Sequence, residues 1–267
     1  MLMSRILERL LVFASRPERG GDRPSGEVHW TPASALDKLR REFPGFDSIV
    51  AGKRVCDYGC GAGFQSIALA ALGCEVVGVD TSPTLLQVAR NLQSEAAIPE
   101  ARLTFLREPP DGGFDIVISQ NSFEHFPAPD ETLRHMQALL APQGLLLITF
   151  GPPWLAPYGS HMHFFTRIPW LNVLFPERVV MRVRQRYRAD GARRYEEVEG
   201  GLNRMTIRRF ESLVASSGLQ VIFRKYTGVR GLDWTCRVPG LREFFTNNVS
   251  MALKAQFDAQ PANLLKG

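Results

Sequence analysis

The sequence predicts an α/β protein with a doubly wound, mostly parallel sheet and helices on both faces. Three observations predict it. Between residues 50 and 151, short and nearly continuous apolar runs alternate with amphipathic helical segments, the pattern of strands covered on both faces. The first of these runs passes directly into a glycine-rich turn and then a helix, which is how the ligand-binding edge of an open α/β sheet is built. The chain has 267 residues and is 45% hydrophobic and 10% aromatic, apolar enough for a sizeable core and too apolar for a disordered chain.

The elements follow in order. Residues 3–15 place Ile6, Leu10, Leu11 and Phe13 at roughly helical spacing, an amphipathic helix. Residues 16–28 are rich in Arg, Gly and Pro and read as a linker. A helix over 33–42 carries Leu36 and Leu39 and stops at Pro44. Residues 54–57 form a short buried strand, followed by the glycine turn and a helix near 63–72 closed by Gly73. Residues 75–80 are the second strand. Ser82 as N-cap and Pro83 in the first turn open the next helix. Strands follow at 103–106 and 114–119. Asp130 and Glu131 sit in the first turn of a helix whose apolar face includes Leu133, Met136, Leu139 and Leu140. Pro142 and Gly144 separate it from a fifth strand at 145–150. Residues 152–205 are too long for an ordinary connection, which marks them as functional. Thr206 caps a helix ended by Gly218, and residues 219–226 and 249–253 are two closing strands, seven in all. The organisation is an N-terminal helix and linker over 1–30, then a domain over 31–267 with a lid at about 152–205.

Composition narrows the function. A net charge of +5 is mildly basic; it permits an anionic partner without demanding nucleic acid. The four cysteines show neither a CxxC pair nor zinc spacing, so reduced thiols in a cytoplasmic protein are the simpler reading. No apolar run has the length of a membrane span, and Arg5, Glu8 and Arg9 interrupt the first segment, unlike a secretory signal.

The most informative segment is Val55 to Gly63, VCDYGCGAG. Counting from Gly59, the sixth position of a dinucleotide GxGxxG fingerprint would be Phe64, so that fingerprint is absent. A carboxylate at Asp57, two residues before the loop, would repel a pyrophosphate and suits a cationic ligand. Asp80, ending the second strand, can accept hydrogen bonds from two ribose hydroxyls. S-adenosyl-L-methionine has a ribose, a positive charge and no phosphate. A bare glycine turn or a nicotinamide site is the rival reading.

With these residues in view, the chain resembles the class I S-adenosylmethionine-dependent methyltransferases of small-molecule type, over roughly residues 50–255 and most strongly to 151. The matching segments, in order, are VCDYGCGAG, VVGVD, FDIVISQNSFEHF, LLAPQGLLLITF and HMHFFT. The resemblance implies a Rossmann-like fold whose last two strands form an antiparallel pair at one edge. It implies cofactor contacts from Asp57, Gly59, Cys60, Gly61 and Gly63. It also implies ribose binding by Asp80, with Thr81 beside the adenine and Gln120 near the cofactor through its backbone. The connection after the third strand is short, and Glu108 is assigned to the adenine amine in place of the family's usual acid. No metal is implied.

A sulfonium methyl is already activated, so the protein must position the acceptor and exclude water; a base is needed only for a protonated nucleophile. His125 follows the fourth strand at the ligand edge and is the candidate base, against a structural role shared with Glu124. His161 or His163 in the lid is expected to face substrate or to pin the lid. His135 is expected to be solvated, and His29 and Trp30 precede the domain's first helix, where they could cover the cofactor. The lid is aromatic in its first half and arginine-rich in its second. Either it lines an acceptor pocket and binds anions, or it packs on the sheet with arginines solvated and balanced by Glu196, Glu197 and Glu199. The first helix docks on the domain, makes a dimer contact or lies on a membrane surface.

The expected function is methyl transfer to an oxygen or nitrogen of a small molecule, lipophilic or anionic. Nucleic acid is disfavoured, because Gln120-Asn121-Ser122-Phe123 stands where a base-flipping enzyme carries an Asn/Asp-Pro-Pro-aromatic tetrapeptide. Two alternatives stay open: a non-catalytic S-adenosylmethionine-binding protein acting through a partner, and a nicotinamide-dependent oxidoreductase.

Overall fold

The structure, a computed structural model, describes residues 2–15 and 30–255. The expected linker, His29 and the last twelve residues lie outside the described residues.

The first helix, α1 (Leu2–Ala14), precedes α2 (Pro32–Glu42) and the short α3 (Phe46–Val50). Alternation then begins with β1 (Arg54–Tyr58), α4 (Phe64–Ala71), β2 (Glu75–Val79), α5 (Pro83–Glu95) and β3 (Leu103–Leu106). It continues with β4 (Phe114–Gln120), α6 (Pro129–Ala138) and β5 (Leu140–Phe150). The expected caps form: Ser82 accepts from the Leu85 N–H, and Thr206 from the Arg209 N–H. On α2, Thr31 and Ser34 close a reciprocal capping box.

The sheet has seven strands in the order β3-β2-β1-β4-β5-β7-β6. Strands β1 to β5 are parallel. Strand β7 (Thr246–Ala255) runs antiparallel between β5 and the edge strand β6 (Leu219–Gly228). The chain steps outward from β1 to β3, then returns to pair β4 on the other side of β1. The C-terminal ends of β1 and β4 therefore flank the switch point where open α/β sheets bind ligands.

Two cores sandwich the sheet. Leu36, Leu39, Phe46, Ile67 and Leu86 of α2 to α5 cover one face, against Val55, Ile116, Ile118 and Leu147. The other face packs Met136 of α6 and Phe210 of α9 (Ile207–Ser216) on Val117, Leu146, Ile148 and Met251.

A third core belongs to the 152–205 segment, which contains α7 (Leu171–Leu174) and α8 (Glu177–Arg184). Phe165, Val179, Val180, Tyr195 and Leu202 cluster there with Leu11 of α1. The aromatics thus pack the lid on itself and on α1 rather than on the sheet. Phe165 stacks on Tyr187, and Trp154 meets Tyr195 edge to face. The arginines find partners the sequence did not point to. Arg182 and Arg186 both pair with Glu8 of α1, Arg184 with Asp190, and Arg204 with Glu177; Arg194 pairs with one of the expected acids, Glu196.

Some boundaries differ from expectation. Leu140 is the first residue of β5, paired with Phe114, and the strand runs irregularly across Pro142 and Gly144 before Leu145 meets Ile116. A Cβ at Gly144 would lie 2.9 Å from the carbonyls of Ala141 and Phe114, so the turn is pressed into the ladder. Helix α3 is one turn and a fraction, too short to show a period. Between β6 and β7 the chain forms 3-10 turns and α10 (Pro239–Phe245), none of which the apolar pattern indicated.

Candidate functional site

The segment after β1 has φ of +79° at Gly59, +53° at Gly61 and +76° at Gly63, a left-handed backbone that glycine adopts without penalty. A Cβ at Gly63 would come within 2.7 Å of Phe105 and 2.8 Å of Ala89. The loop is fastened to the neighbouring strand, since the N–H groups of Gly59 and Cys60 both donate to the Val79 carbonyl, at 2.8 and 3.0 Å. From below, Ser122 Oγ donates to the Gly59 carbonyl at 2.9 Å.

The loop opens on a cavity of about 280 Å³. Asp57, Gly59, Cys60 and Gly61 line it, with Gln65 from α4, Gln120 and Asn121 from the end of β4, and Trp30 from before α2. Gly63 lies behind, packed on α5.

Asp57 is buried. One oxygen accepts from Gln65 Nε2 at 2.7 Å and the other from Ser66 Oγ at 2.5 Å. Burial pushes its pKa up to about 7, and nearby Asp80 adds to the rise; the two hydrogen bonds pull the other way. Asp80 accepts the Gly61 N–H and the Ser82 N–H, each at 2.9 Å. It therefore holds the loop as well as facing it, and each oxygen keeps a further lone pair for a ligand hydroxyl. Gln65 Oε1 and Gln120 Nε2 are buried without a hydrogen-bond partner among the described residues. A buried acceptor and a buried donor left open beside a cavity are costly unless a ligand meets them. A ligand with an ammonium, a carboxylate and paired hydroxyls fits that donor set.

Not every expected residue joins this cavity. Cys60 contributes its position rather than its thiol, which burial holds in the neutral form. Asp80, half-buried, and Thr81 and Glu108, both exposed, follow β2 and β3 at the same sheet edge but do not line the cavity, and neither His125 nor His161 lines it.

The histidines gather on the lid side. His125 ends a 3-10 turn after β4, and its Nδ1 lies 2.7 Å from the Gly201 carbonyl. His161 meets it edge to face, with ring centroids 5.4 Å apart. Burial first, then His125 and His163, lower His161 to about 3, so its ring is neutral at physiological pH. His161 Nε2 is buried without a partner among the described residues. His163 packs on Tyr158, and His135 is exposed on α6 as expected. Glu124 is buried; it accepts the Gly151 N–H at 3.1 Å, and its burial raises its pKa.

Sequence reasoning missed Gln65, Asn121 and Lys38 of α2. Asn121 stands in the left-handed region at φ +53°, conspicuous only once dihedrals are known. Lys38 donates to Asn121 Oδ1 at 2.6 Å, a contact spanning 83 residues that no local pattern announces.

A switch-point cavity, a glycine loop without the dinucleotide fingerprint and a carboxylate at the end of each of two adjacent strands define a class: the class I S-adenosylmethionine-dependent methyltransferases. The family follows from comparison with known proteins. Residues 28–222 match the model of the methyltransferase domain family, and the chain belongs to that family. It is 30% identical over 209 residues to an uncharacterized methyltransferase of Mycobacterium sp. (strain JLS), covering 78% of this chain and 79% of that one. It is 34% identical over 123 residues to a ubiquinone biosynthesis O-methyltransferase of Xanthomonas euvesicatoria pv. vesicatoria (strain 85-10), covering 44% of this chain. That match spans about half of the relative, 51% of its length. Among solved structures, magnesium protoporphyrin IX methyltransferase from Synechocystis PCC 6803, with bound SAH, superposes with a TM-score of 0.55 at 17% identity over 94% of each chain. The cyclase SpnF superposes with a TM-score of 0.53 at 14% identity over 95% of this chain and 94% of that one. These likenesses establish the fold; the chemistry must come from the site.

Proposed function

We propose that the protein transfers a methyl group from S-adenosylmethionine to a small-molecule acceptor, at oxygen or nitrogen. The observation that carries this reading is the pair Asp57 and Asp80 flanking a left-handed glycine loop, beside a cavity that leaves Gln65 Oε1 and Gln120 Nε2 open. Asp80 would hold the ribose hydroxyls. The backbone of Gly59, Cys60 and Gly61, and Asp57 acting through Gln65, would hold the cationic amino-acid end. Gly63 supports the loop from behind. Thr81 and Glu108, at the same sheet edge, are assigned to the adenine end. Family membership gives the oxidoreductase alternative no support. The name of the Xanthomonas relative favours oxygen as the target atom.

When bound, S-adenosylmethionine supplies an activated methyl whose bond to sulfur breaks with its electron pair staying on sulfur. The chain's own residues must orient the acceptor, exclude water and take a proton. His125 is assigned as the base. Its Nδ1–H, donating to the Gly201 carbonyl, fixes the tautomer and leaves Nε2 to accept the acceptor's proton. His161, held neutral, is assigned to orient His125 and the acceptor rather than to take the proton.

A lipid surface is assigned as a contact of α1. Its outward stripe of Met3, Ile6, Leu10 and Phe13 is exposed, and Arg5 and Arg9 lie beside it, as on helices that lie in an anionic interface. Among the described residues no helix is long and apolar enough to cross a membrane. Co-sedimentation with phosphatidylglycerol vesicles should exceed that with phosphatidylcholine and fall in Phe13→Ser; equal sedimentation of both proteins refutes the contact.

Calorimetric titration with S-adenosylhomocysteine, with NADH as control, tests the main reading. Saturable binding of the former alone is expected, and its absence in folded protein rejects the methyltransferase assignment. His125→Ala should lower turnover about 100-fold or more with unchanged S-adenosylhomocysteine affinity. Undiminished turnover removes His125 as the base.

A further inference from the structure

Lys38 has no part in the machinery described above, yet it touches two residues that line the same cavity. Its Nζ donates to Asn121 Oδ1 at 2.6 Å and lies 5.7 Å from the centroid of the Trp30 ring. Trp30 and Asn121 both line the cavity. Asn121 is fixed there by the donation of its N–H to the Thr149 carbonyl at 2.8 Å, in a left-handed backbone that is costly for a non-glycine residue.

The charge of Lys38 is poorly compensated where it stands. Its hydrogen-bond partner is a neutral amide. Two carboxylates face it at longer range: Glu124, from the turn after β4, and Glu42 of its own helix; Arg41 opposes it. Glu42 is already committed, accepting from Ser250 Oγ at 2.8 Å and pairing with Lys225 of β6 at 3.3 Å. Burial outweighs the two carboxylates and lowers Lys38 to about 8, so near neutral pH it remains a largely desolvated cation.

Unmet polar atoms gather at this place. Gln120 and Thr149 are directly opposite each other on β4 and β5. Gln120 Nε2, Thr149 Oγ1 and Glu124 Oε2 are all buried without a partner among the described residues. Two of these can donate. Of the two, Gln120 lines the cavity, and Thr149 is buried beside it in register; Gln120 Nε2 and the ammonium of Lys38 are donors at the sheet edge beneath α2.

We propose that Lys38, with Gln120, is an anion-binding subsite for the methyl acceptor, which carries, apart from the protonated atom that His125 serves, an ionised oxygen: a carboxylate or an acidic phenol. The inference rests on the reading of the cavity as a methyltransferase site and adds the acceptor's chemical class. An ammonium there holds the oxyanion by a charge-assisted hydrogen bond, with the Trp30 ring, 5.7 Å away, as its cation–π neighbour.

The experiment uses the full chain saturated with S-adenosylhomocysteine. The probes are 4-nitrophenol for the phenolate, 4-nitrobenzoate for the carboxylate and nitrobenzene as the neutral analogue. The wild type should bind at least one anion in preference to nitrobenzene. Bound 4-nitrophenol should ionise at lower pH than free 4-nitrophenol. Anion affinity should fall as pH rises through about 8, because the ammonium is lost. Lys38→Met should weaken the bound anion about 10-fold or more and spare S-adenosylhomocysteine; Lys38→Arg should restore most of it. Preference for nitrobenzene, failure of both anions to bind, or unchanged anion affinity in Lys38→Met overturns the subsite. If Lys38→Met does not fold, the wild-type pH profile decides, and a flat profile overturns it. Failure of the wild type to bind S-adenosylhomocysteine is a different result, and it rejects the reading of the cavity itself.

Discussion

In the folded protein Asp57 is neutral below about 7 and His161 is neutral above about 3, for one reason: burial penalises the charged form. Their consequences for pH run in opposite directions. Asp57 is raised to about 7, so its contribution to stability is full below the ordinary carboxylate range and is lost as pH rises from about 4 through 7. His161 is lowered to about 3. Its contribution is full above the ordinary imidazole range and is lost as pH falls from about 6.5 toward 3. In the proposed function Asp57 would also set the pH dependence of cofactor binding. A cationic ligand end favours the carboxylate, so S-adenosylhomocysteine should bind more tightly as pH rises toward 7 and level off above it. Binding below 7 should release a proton. Calorimetry in buffers of different ionisation enthalpy measures that release, and Asp57→Asn should abolish it. Equal proton release in the variant would assign it to another group.

At the scale of elements, the site depends on where helices and strands begin. Ser82-Pro83, Thr206 and the glycine-rich turn were legible in the sequence because capping and left-handed turns are local chemistry. The start of β5 at Leu140 was not, because the Pro142–Gly144 turn is held inside the ladder by the Phe114 pairing. In the lid, Arg184 of α8 grips Asp190 with two short hydrogen bonds, 2.6 and 2.5 Å, and is itself 5% exposed. The guanidinium holds Asp190 down to about 2. Removing one partner of such a pair strands the other. Arg184 is the buried partner and Asp190 is about a third exposed, so Asp190→Ala, which strands the buried guanidinium, should cost about 3 kcal/mol, measured by chemical denaturation, and Arg184→Lys should cost part of that because it loses the two-pronged geometry. A loss under about 1 kcal/mol would show that the pair behaves as a surface ion pair.

At the scale of the molecule, the chain builds three cores, and α1 belongs to the third. Leu11 is fully buried among lid residues, and Glu8 bridges Arg182 and Arg186. The first helix thus clamps the lid rather than the sheet. Leu11→Ala should cost about 3 kcal/mol, read as a fall in Tm of about 6–12 °C, while S-adenosylhomocysteine affinity stays as in the wild type. A matching loss of affinity would show that α1 supports the cofactor cavity too.

What the sequence determined by itself is what depends on neighbours along the chain. Strand and helix periods, caps, the left-handed loop and the carboxylates at the ends of β1 and β2 are short-range features, and they sufficed for the fold class and for locating the glycine loop. Tertiary structure alone decided the rest. It closed Asp80 onto the Gly61 N–H, set Gln65 against Asp57, turned the lid aromatics into a core shared with α1, and brought Lys38 to Asn121. It also left Asp80, Thr81, Glu108, His125 and His161 outside the cavity lining. The physical reason is that these outcomes are set by desolvation and packing between segments far apart in the chain. Neither a residue's type nor its spacing carries the burial that shifts Asp57, His161 and Lys38 from their ordinary charge states.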